Sequence, residues 1–283
     1  MPEKYIVEAK QNADILSFIG GKPFLPPEEK IPSCKLCGSQ LTFFFQILCD
    51  HIPGWSEHLL SLFFCTRCSN NDYLIPDMLS GDLCDAKVEA KFLENYQKNF
   101  SVNLWHKSDV TLCESYKEHV AFHEIIDRKK PRSKTFGYSA VKPKWIMDDE
   151  TPKSICEVAP VFLFGIYEGF EFPIINSAKG QVEFDFMEGE NIEVSRRSYR
   201  LFLSNELFFF GSIPENSSVY ILTQVPWGNY HFSNFAFKTP LLPARKSRAF
   251  RRSQPRWSCP RLPCVQSNLR RGYSRWRVCA GYS

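Results

Sequence analysis

The sequence predicts an α+β fold dominated by strands: two related β-rich units about a pseudo-twofold axis, antiparallel sheets, a helical insertion and a hairpin with paired cysteines at its base. Three observations lead there. The 283 residues include 25 Phe and are 15% aromatic, and planar side chains pack well on pleated surfaces but lose rotamer freedom on helices. Two Cys-x-x-Cys pairs, Cys34/Cys37 and Cys65/Cys68, bracket two short apolar runs, Leu41–Leu48 and Leu59–Phe64. The segment Lys22–Ile47 also resembles Lys142–Ile166 once a single gap is allowed, which is the mark of a duplicated unit.

Taken in order, Met1–Leu16 places Ile6, Ala9, Ala13 and Leu16 at helical spacing and predicts a short helix. Gly20 and Gly21, followed by Pro23, Pro26, Pro27 and Pro32, make the next stretch an extended lead-in with a tight bend. The glycines do not read as a phosphate loop, because no Gly-Lys-Ser/Thr ending follows. Cys49–His58, polar and containing Pro53 and Gly54, is the loop of a hairpin whose strands are the two apolar runs. The two cysteine pairs then lie side by side at one end of that hairpin. Tetrahedral zinc takes four sulfurs at about 2.3 Å, so Cys34, Cys37, Cys65 and Cys68 are the expected ligands of one zinc ion. Four sulfurs leave no coordination position for water, which makes the expected zinc structural rather than catalytic.

Beyond a loop at 71–82, Asp82 is positioned to cap a helix running to about Phe100, with Phe92, Leu93, Tyr96 and Phe100 as its core-facing stripe. A second helix is expected over Cys113–Arg128 from the spacing of Tyr116, Val120 and Ile125. It would carry His119 and His123 four apart, a pair that lacks a third ligand in register and reads as a partly solvated face. The basic run Arg128–Lys134 is a linker. In the second copy of the repeat only Cys156 remains of the knuckles, and Asp148, Asp149 and Glu150 are solvated acids on a proline-bounded loop. From Gln181 onward QVEFDF, SYRLFLS, ELFFFG and SVYILTQV predict an antiparallel meander, with QVEFDF alternating between one wet and one buried face. The expected organisation is a first unit over 1–128, a second over 129–237, and a disordered basic tail over 238–283. The tail holds Cys259, Cys264 and Cys279 without knuckle spacing.

Charge divides the chain in the same place. Eleven of the 35 basic residues and none of the 31 acidic ones lie beyond Pro240, so the first 240 residues carry a net charge of −7. An acidic body is not a general nucleic-acid binder, and phosphate contact would fall to the Arg-rich tail alone. No run approaches the roughly 20 apolar residues of a membrane span, and the charged opening is not a secretory signal, so the cytoplasm is the expected compartment. An odd count of 11 cysteines with paired knuckles fits bound metal in a reducing compartment better than disulfides. For catalysis, Cys49 and His51 are the candidate nucleophile and base. With no third orienting group or oxyanion donor, no enzyme activity is expected.

The Gly20-Gly21-Lys22-Pro23 segment, Cys34-Lys35-Leu36-Cys37-Gly38, the strand ending Phe45-Gln46-Ile47, and Phe64-Cys65-Thr66-Arg67-Cys68 together resemble the amino-terminal half of the programmed cell death protein 2 family and its bacterial YwqG-like relatives. Trp145 before Asp148-Asp149-Glu150-Thr151-Pro152, the strand Asn205–Gly211 and Tyr220–Val225 extend that resemblance over roughly Phe18 to Phe237. Eukaryotic members shield a new small-subunit ribosomal protein, and the YwqG-like relatives have no established activity. The resemblance thus implies a chaperone-like adaptor for a basic polypeptide such as a ribosomal protein. The sequence departs from the pattern by lacking a separate MYND-type finger and by reading Phe136-Gly137-Tyr138-Ser139 where a Gly-Gly is expected. A nucleic-acid-associated protein acting through the tail, an accessory protein of a toxin system and an uncharacterised hydrolase are the alternatives.

Overall fold

The computed structural model describes residues 2–77, 79, 84–185, 187–212 and 218–225. The tail expected beyond 238 lies outside them. In chain order the elements are β1 (Glu3–Glu8), β2 (Phe18–Ile19), β3 (Phe24–Leu25), β4 (Thr42–Leu48), β5 (His58–Phe64), β6 (Lys87–Val88), α1 (Ala90–Glu94), β7 (Phe100–His106), β8 (Thr111–Leu112) and β9 (His123–Ile126). There follow β10 (Lys134–Tyr138), β11 (Ser154–Ile155), β12 (Val161–Ile166), β13 (Glu171–Pro173), β14 (Val182–Asp185), β15 (Glu190–Glu193), β16 (Ser198–Arg200), β17 (Glu206–Gly211) and β18 (Val219–Gln224). Ten of these strands form one antiparallel sheet in the order β18-β17-β12-β10-β1-β9-β2-β4-β5-β7, and the rest pair off as four two-stranded ribbons. That sheet runs through both stretches, 1–128 and 129–225.

Three local expectations are corrected. The amino terminus is a strand, because β1 is paired on both sides, to β9 and to β10, and two ladders outweigh a weak helical spacing. The helical insertion expected between Asp82 and Arg128 is mostly strand and loop. Asp82, the expected cap, lies outside the described residues, and among the described ones only α1 remains of that first helix, without a side-chain cap at Glu89, while Phe100 opens β7, which pairs with β5 along seven residues. His123 and Ile125, expected on a second helix, stand in β9 between β1 and β2. Short apolar spacings fit a helix or a strand equally well, and here the ladder on each side decides. The meander holds only for its last two members, the β17–β18 hairpin. β14 pairs with β15 and β16 with β13, and all four residues of β14 are half-buried rather than alternating.

Phenylalanine builds the centre. Phe45 is fully buried and meets Phe136, Phe164 and Phe209 edge-on at ring separations of 5.8, 5.6 and 5.8 Å. Phe164 stacks on Phe209 at 4.3 Å. The connection between β12 and β17 crosses to the first half of the chain: Phe172 lies 4.9 Å from Phe44, and backbone bonds join Ala121 to Pro173 and Ile175 to His119. A second apolar cluster, centred on Phe18, Phe43 and Phe63, includes Cys34 and Cys65. Both ends of the large sheet are plugged by side chains. The Tyr96 hydroxyl donates to the Ile221 carbonyl at 2.6 Å and accepts from its N–H at 3.0 Å on β18, and Gln97 Oε1 takes the Val102 N–H of β7 at 2.7 Å.

Candidate metal centre

The β4–β5 hairpin forms as its sequence demands. Aromatic and aliphatic residues fill both strands, Thr42 pairs opposite Phe64, and the ladder carries one bulge between Phe43 and Phe45. Because the strands run antiparallel, the segment before β4 and the segment after β5 meet at the same end. Cys34 Sγ lies 3.8 Å from Cys68 Sγ, Cys37 Sγ 3.7 Å from Cys65 Sγ, and Cys65 Sγ 3.5 Å from Cys68 Sγ. All four sulfurs fall within 4.8 Å of one another, and they are the one such group of three or more ligating side chains among the described residues. A tetrahedron with sulfurs about 2.3 Å from its centre has edges of about 3.8 Å. The observed separations are therefore those of a metal-sized space, and far from the roughly 2.05 Å of a disulfide.

Each arm is a turn that aims backbone donors at sulfur. Leu36 and Cys37 present their N–H groups to the Cys34 sulfur, and Arg67 and Cys68 present theirs to Cys65. In the first arm Gly38 donates to the Cys34 carbonyl at 2.8 Å with φ of +74°, a left-handed conformation suited to glycine. Cys34 and Cys65 are buried and Cys37 is exposed. Hydrogen bonds from the Cys68 and Cys37 thiols and from the Arg67 and Cys68 N–H groups pull Cys65 well below the ordinary thiol range, against its burial. Burial pushes Cys34 up to about 11, and its bond to Cys65 pushes Cys68 up as well. Four crowded thiols cannot all ionise unless a cation joins them.

The far half of the chain braces the second arm. Val182, the first residue of β14, donates to the Thr66 carbonyl at 3.0 Å, and Arg67 lies 3.8 Å from the Glu193 carboxylate of β15. Within the hairpin the Thr42 and Thr66 hydroxyls share a 2.9 Å bond. The sequence reading missed Thr66, Arg67, Val182 and Glu193. Gly189, at a left-handed turn with φ of +72° between two polar-apolar runs, is the signal that would have revealed the β14–β15 hairpin.

The remaining candidates do not assemble. Cys49 is completely buried, which pushes its thiol up to about 12, and His51 spends its Nε2–H on the Leu163 carbonyl at 2.8 Å. No hydrogen bond joins the two among the described residues. His119 and His123 are not on one helical face: His123 turns Nδ1 to the Ala121 carbonyl at 3.1 Å, while His119 packs near Tyr116. Asp149 closes a local turn on the Thr151 N–H at 2.8 Å. The Gly20 and Gly21 N–H groups are taken by the Phe44 and Val120 carbonyls at 2.9 and 3.0 Å, leaving neither for a phosphate. Cys259, Cys264 and Cys279 lie outside the described residues. No described helix is long and apolar enough to cross a membrane. No protein-family model matches the chain, and no curated protein matches it.

Proposed function

We propose that Cys34, Cys37, Cys65 and Cys68 hold one structural zinc ion, and that the chain is a protein-binding, chaperone-like adaptor for a basic polypeptide. The observation that carries the reading is the sulfur tetrahedron. Its edges suit zinc, its four positions are all thiolate-capable, and it clips the ends of two strands whose faces are filled with phenylalanine. A closed site of four cysteines gives folding energy rather than a reaction. The acidic balance of the first 240 residues steers basic chains toward the molecule and repels acidic ones. The resemblance to the programmed cell death protein 2 and YwqG-like proteins points the same way, toward a ribosomal protein as client.

The pseudo-twofold reading of the body belongs to the same proposal. Read inward from each end, the sheet runs β7-β5-β4-β2-β9 and β18-β17-β12-β10-β1. The repeat that sets Lys22 on Lys142 also sets Phe18 on Tyr138, and those two residues pair with Gln46 and Gly165, themselves equivalent past the gap. The bulge between Phe43 and Phe45 recurs between Phe162 and Phe164. The bond from Cys65 N–H to the Asn99 carbonyl has a counterpart from Ser212 to Ser218. On this reading β9 is the counterpart of β1 and opens the second repeat shortly before residue 129, so each repeat lends its opening strand to the other, and the axis passes through the Tyr5–Ile126 pair.

The test is direct. Metal analysis of the purified chain should give about one zinc per molecule, and quantitative affinity capture across a salt series should retain a basic protein that is released as ionic strength rises. Absence of zinc from freshly purified protein would overturn the first half, and partners that are acidic or insensitive to salt would overturn the second.

A further inference from the structure

Resting on the adaptor reading, we infer that the outer edge of β15 is where a basic polypeptide docks, as an added β-strand. Among the described residues β14 and β15 form a ribbon of two strands. The bond from Val194 N–H to the Gln181 carbonyl at 3.0 Å fixes the phase of the ladder. With Val182 opposite Glu193 and Phe184 opposite Asn191, these four residues turn their backbone groups away from the partner strand. On the β14 side the outward Val182 N–H is already spent on Thr66. On the β15 side Asn191 and Glu193 face outward where no described strand lies, and Glu190 through Glu193 are all exposed.

An open edge is a template for another chain, and folded proteins usually block it with lysine, proline, a bulge or a covering group. The two ends of the large sheet are blocked in this molecule by Tyr96 and Gln97. β15 is short and its only charged residues are acidic, so what guards it is Glu190 and Glu193, which disfavour an acidic neighbour and not a basic one; among the described residues it has no lysine, proline, bulge or covering strand. Its charges are acidic, with no Lys or Arg from Gly180 to Ser195. Glu183 is neutralised by Arg196 and Arg200, and Asp185 caps the turn through the Met187 N–H at 2.8 Å. Glu188 and Glu190 have no ion-pair partner among the described residues. The edge is thus open to a basic strand and closed to an acidic one.

The side chains add a pattern. Glu190 and Ile192 share one face of β15, and Ile192 is an exposed large apolar residue, as is Met187 at the turn. A strand that alternates basic and apolar residues on that face meets carboxylate with ammonium and isoleucine with valine. Backbone bonds supply affinity and the alternate side chains supply selection. The contacts of Thr66 and Arg67 fasten the ribbon to the cysteine cluster, so the edge is presented on a braced support.

The probe is a fluorescent peptide, Lys-Thr-Val-Thr-Lys-Thr-Val-Thr, titrated against the full chain by anisotropy, with amide exchange of the chain as a second readout. Asn191→Pro removes an outward N–H without touching the ladder to β14, and Asn191→Ala keeps it. We expect slowed exchange at Asn191 and Glu193, unchanged binding by Asn191→Ala, about tenfold weaker binding by Asn191→Pro, and loss of preference over the peptide with Glu for Lys in the double variant Glu188→Lys, Glu190→Lys. Binding with full strength by Asn191→Pro, or slowed exchange elsewhere but not at 191 and 193, would overturn the edge while leaving the adaptor reading intact. Equal affinity for the basic and acidic peptides would overturn both. If Asn191→Pro fails to fold, the exchange pattern of the wild-type chain decides alone.

Discussion

Glu206 begins β17 among side chains that leave its carboxylate little water. Burial pushes it up to about 7 from the ordinary 4.5, with Lys144 pulling the other way and Glu168 adding to the rise. The folded chain therefore holds this proton more tightly than the unfolded chain. Its contribution to stability is fully present below pH 4.5 and is lost as pH rises toward 7. Glu206→Gln should flatten that part of the stability profile, measured by urea unfolding at about pH 5 and about pH 8; a slope unchanged by the substitution would reject the assignment. Cys65→Ser should abolish stoichiometric zinc and lower the melting temperature, whereas Cys49→Ser should leave zinc content untouched. Phe45→Ala, which empties the space between Phe136, Phe164 and Phe209, should cost about 3–5 kcal/mol in chemical unfolding. The clustering of Cys34, Cys37, Cys65 and Cys68 was legible in the sequence because each Cys-x-x-Cys turn is a local device and a hairpin brings its two ends together. Arg67 and Thr66 were not, since what gives them meaning is a ribbon far along the chain.

The strands that lie inside apolar hairpins could be read with little error: β4, β5, β12, β17 and β18 match runs of aromatic and aliphatic residues bounded by turns. What could not be read is which short, mixed segment would be drafted into the sheet. β1 and β9 carry helical spacing, yet each lies between two partner strands, and the tertiary ladder prevails over local preference. The Gly20–Gly21 bend was legible as a bend but not as a point of contact. A Cβ on Gly20 would sit 2.3 Å from the Ala121 carbonyl oxygen, and φ is +62°. Gly20→Ala should therefore destabilise by more than about 2 kcal/mol, since clash and left-handed strain add. An equal melting temperature would show that the β2 bend yields.

For the molecule as a whole, the pairing of β1 with β10 and the packing of Phe45 against Phe136, Phe164 and Phe209 both cross residue 129, so neither half covers by itself the apolar surface it contributes. Fragments 1–129 and 130–283 should each lack cooperative unfolding and regain it when mixed; a fragment that melts sharply by itself would contradict this. The same connectivity has a consequence in time. β1 pairs only with β9 and β10, which are made long after it. At about 5–20 residues per second the first strand waits roughly 6–25 s on the ribosome before either partner exists, its Tyr5 and Ile6 uncovered meanwhile. The most central pairing in the sheet, β1 with β9, thus waits until residue 126 is made, and a nascent chain interrupted before His123 carries a first strand with no place to go.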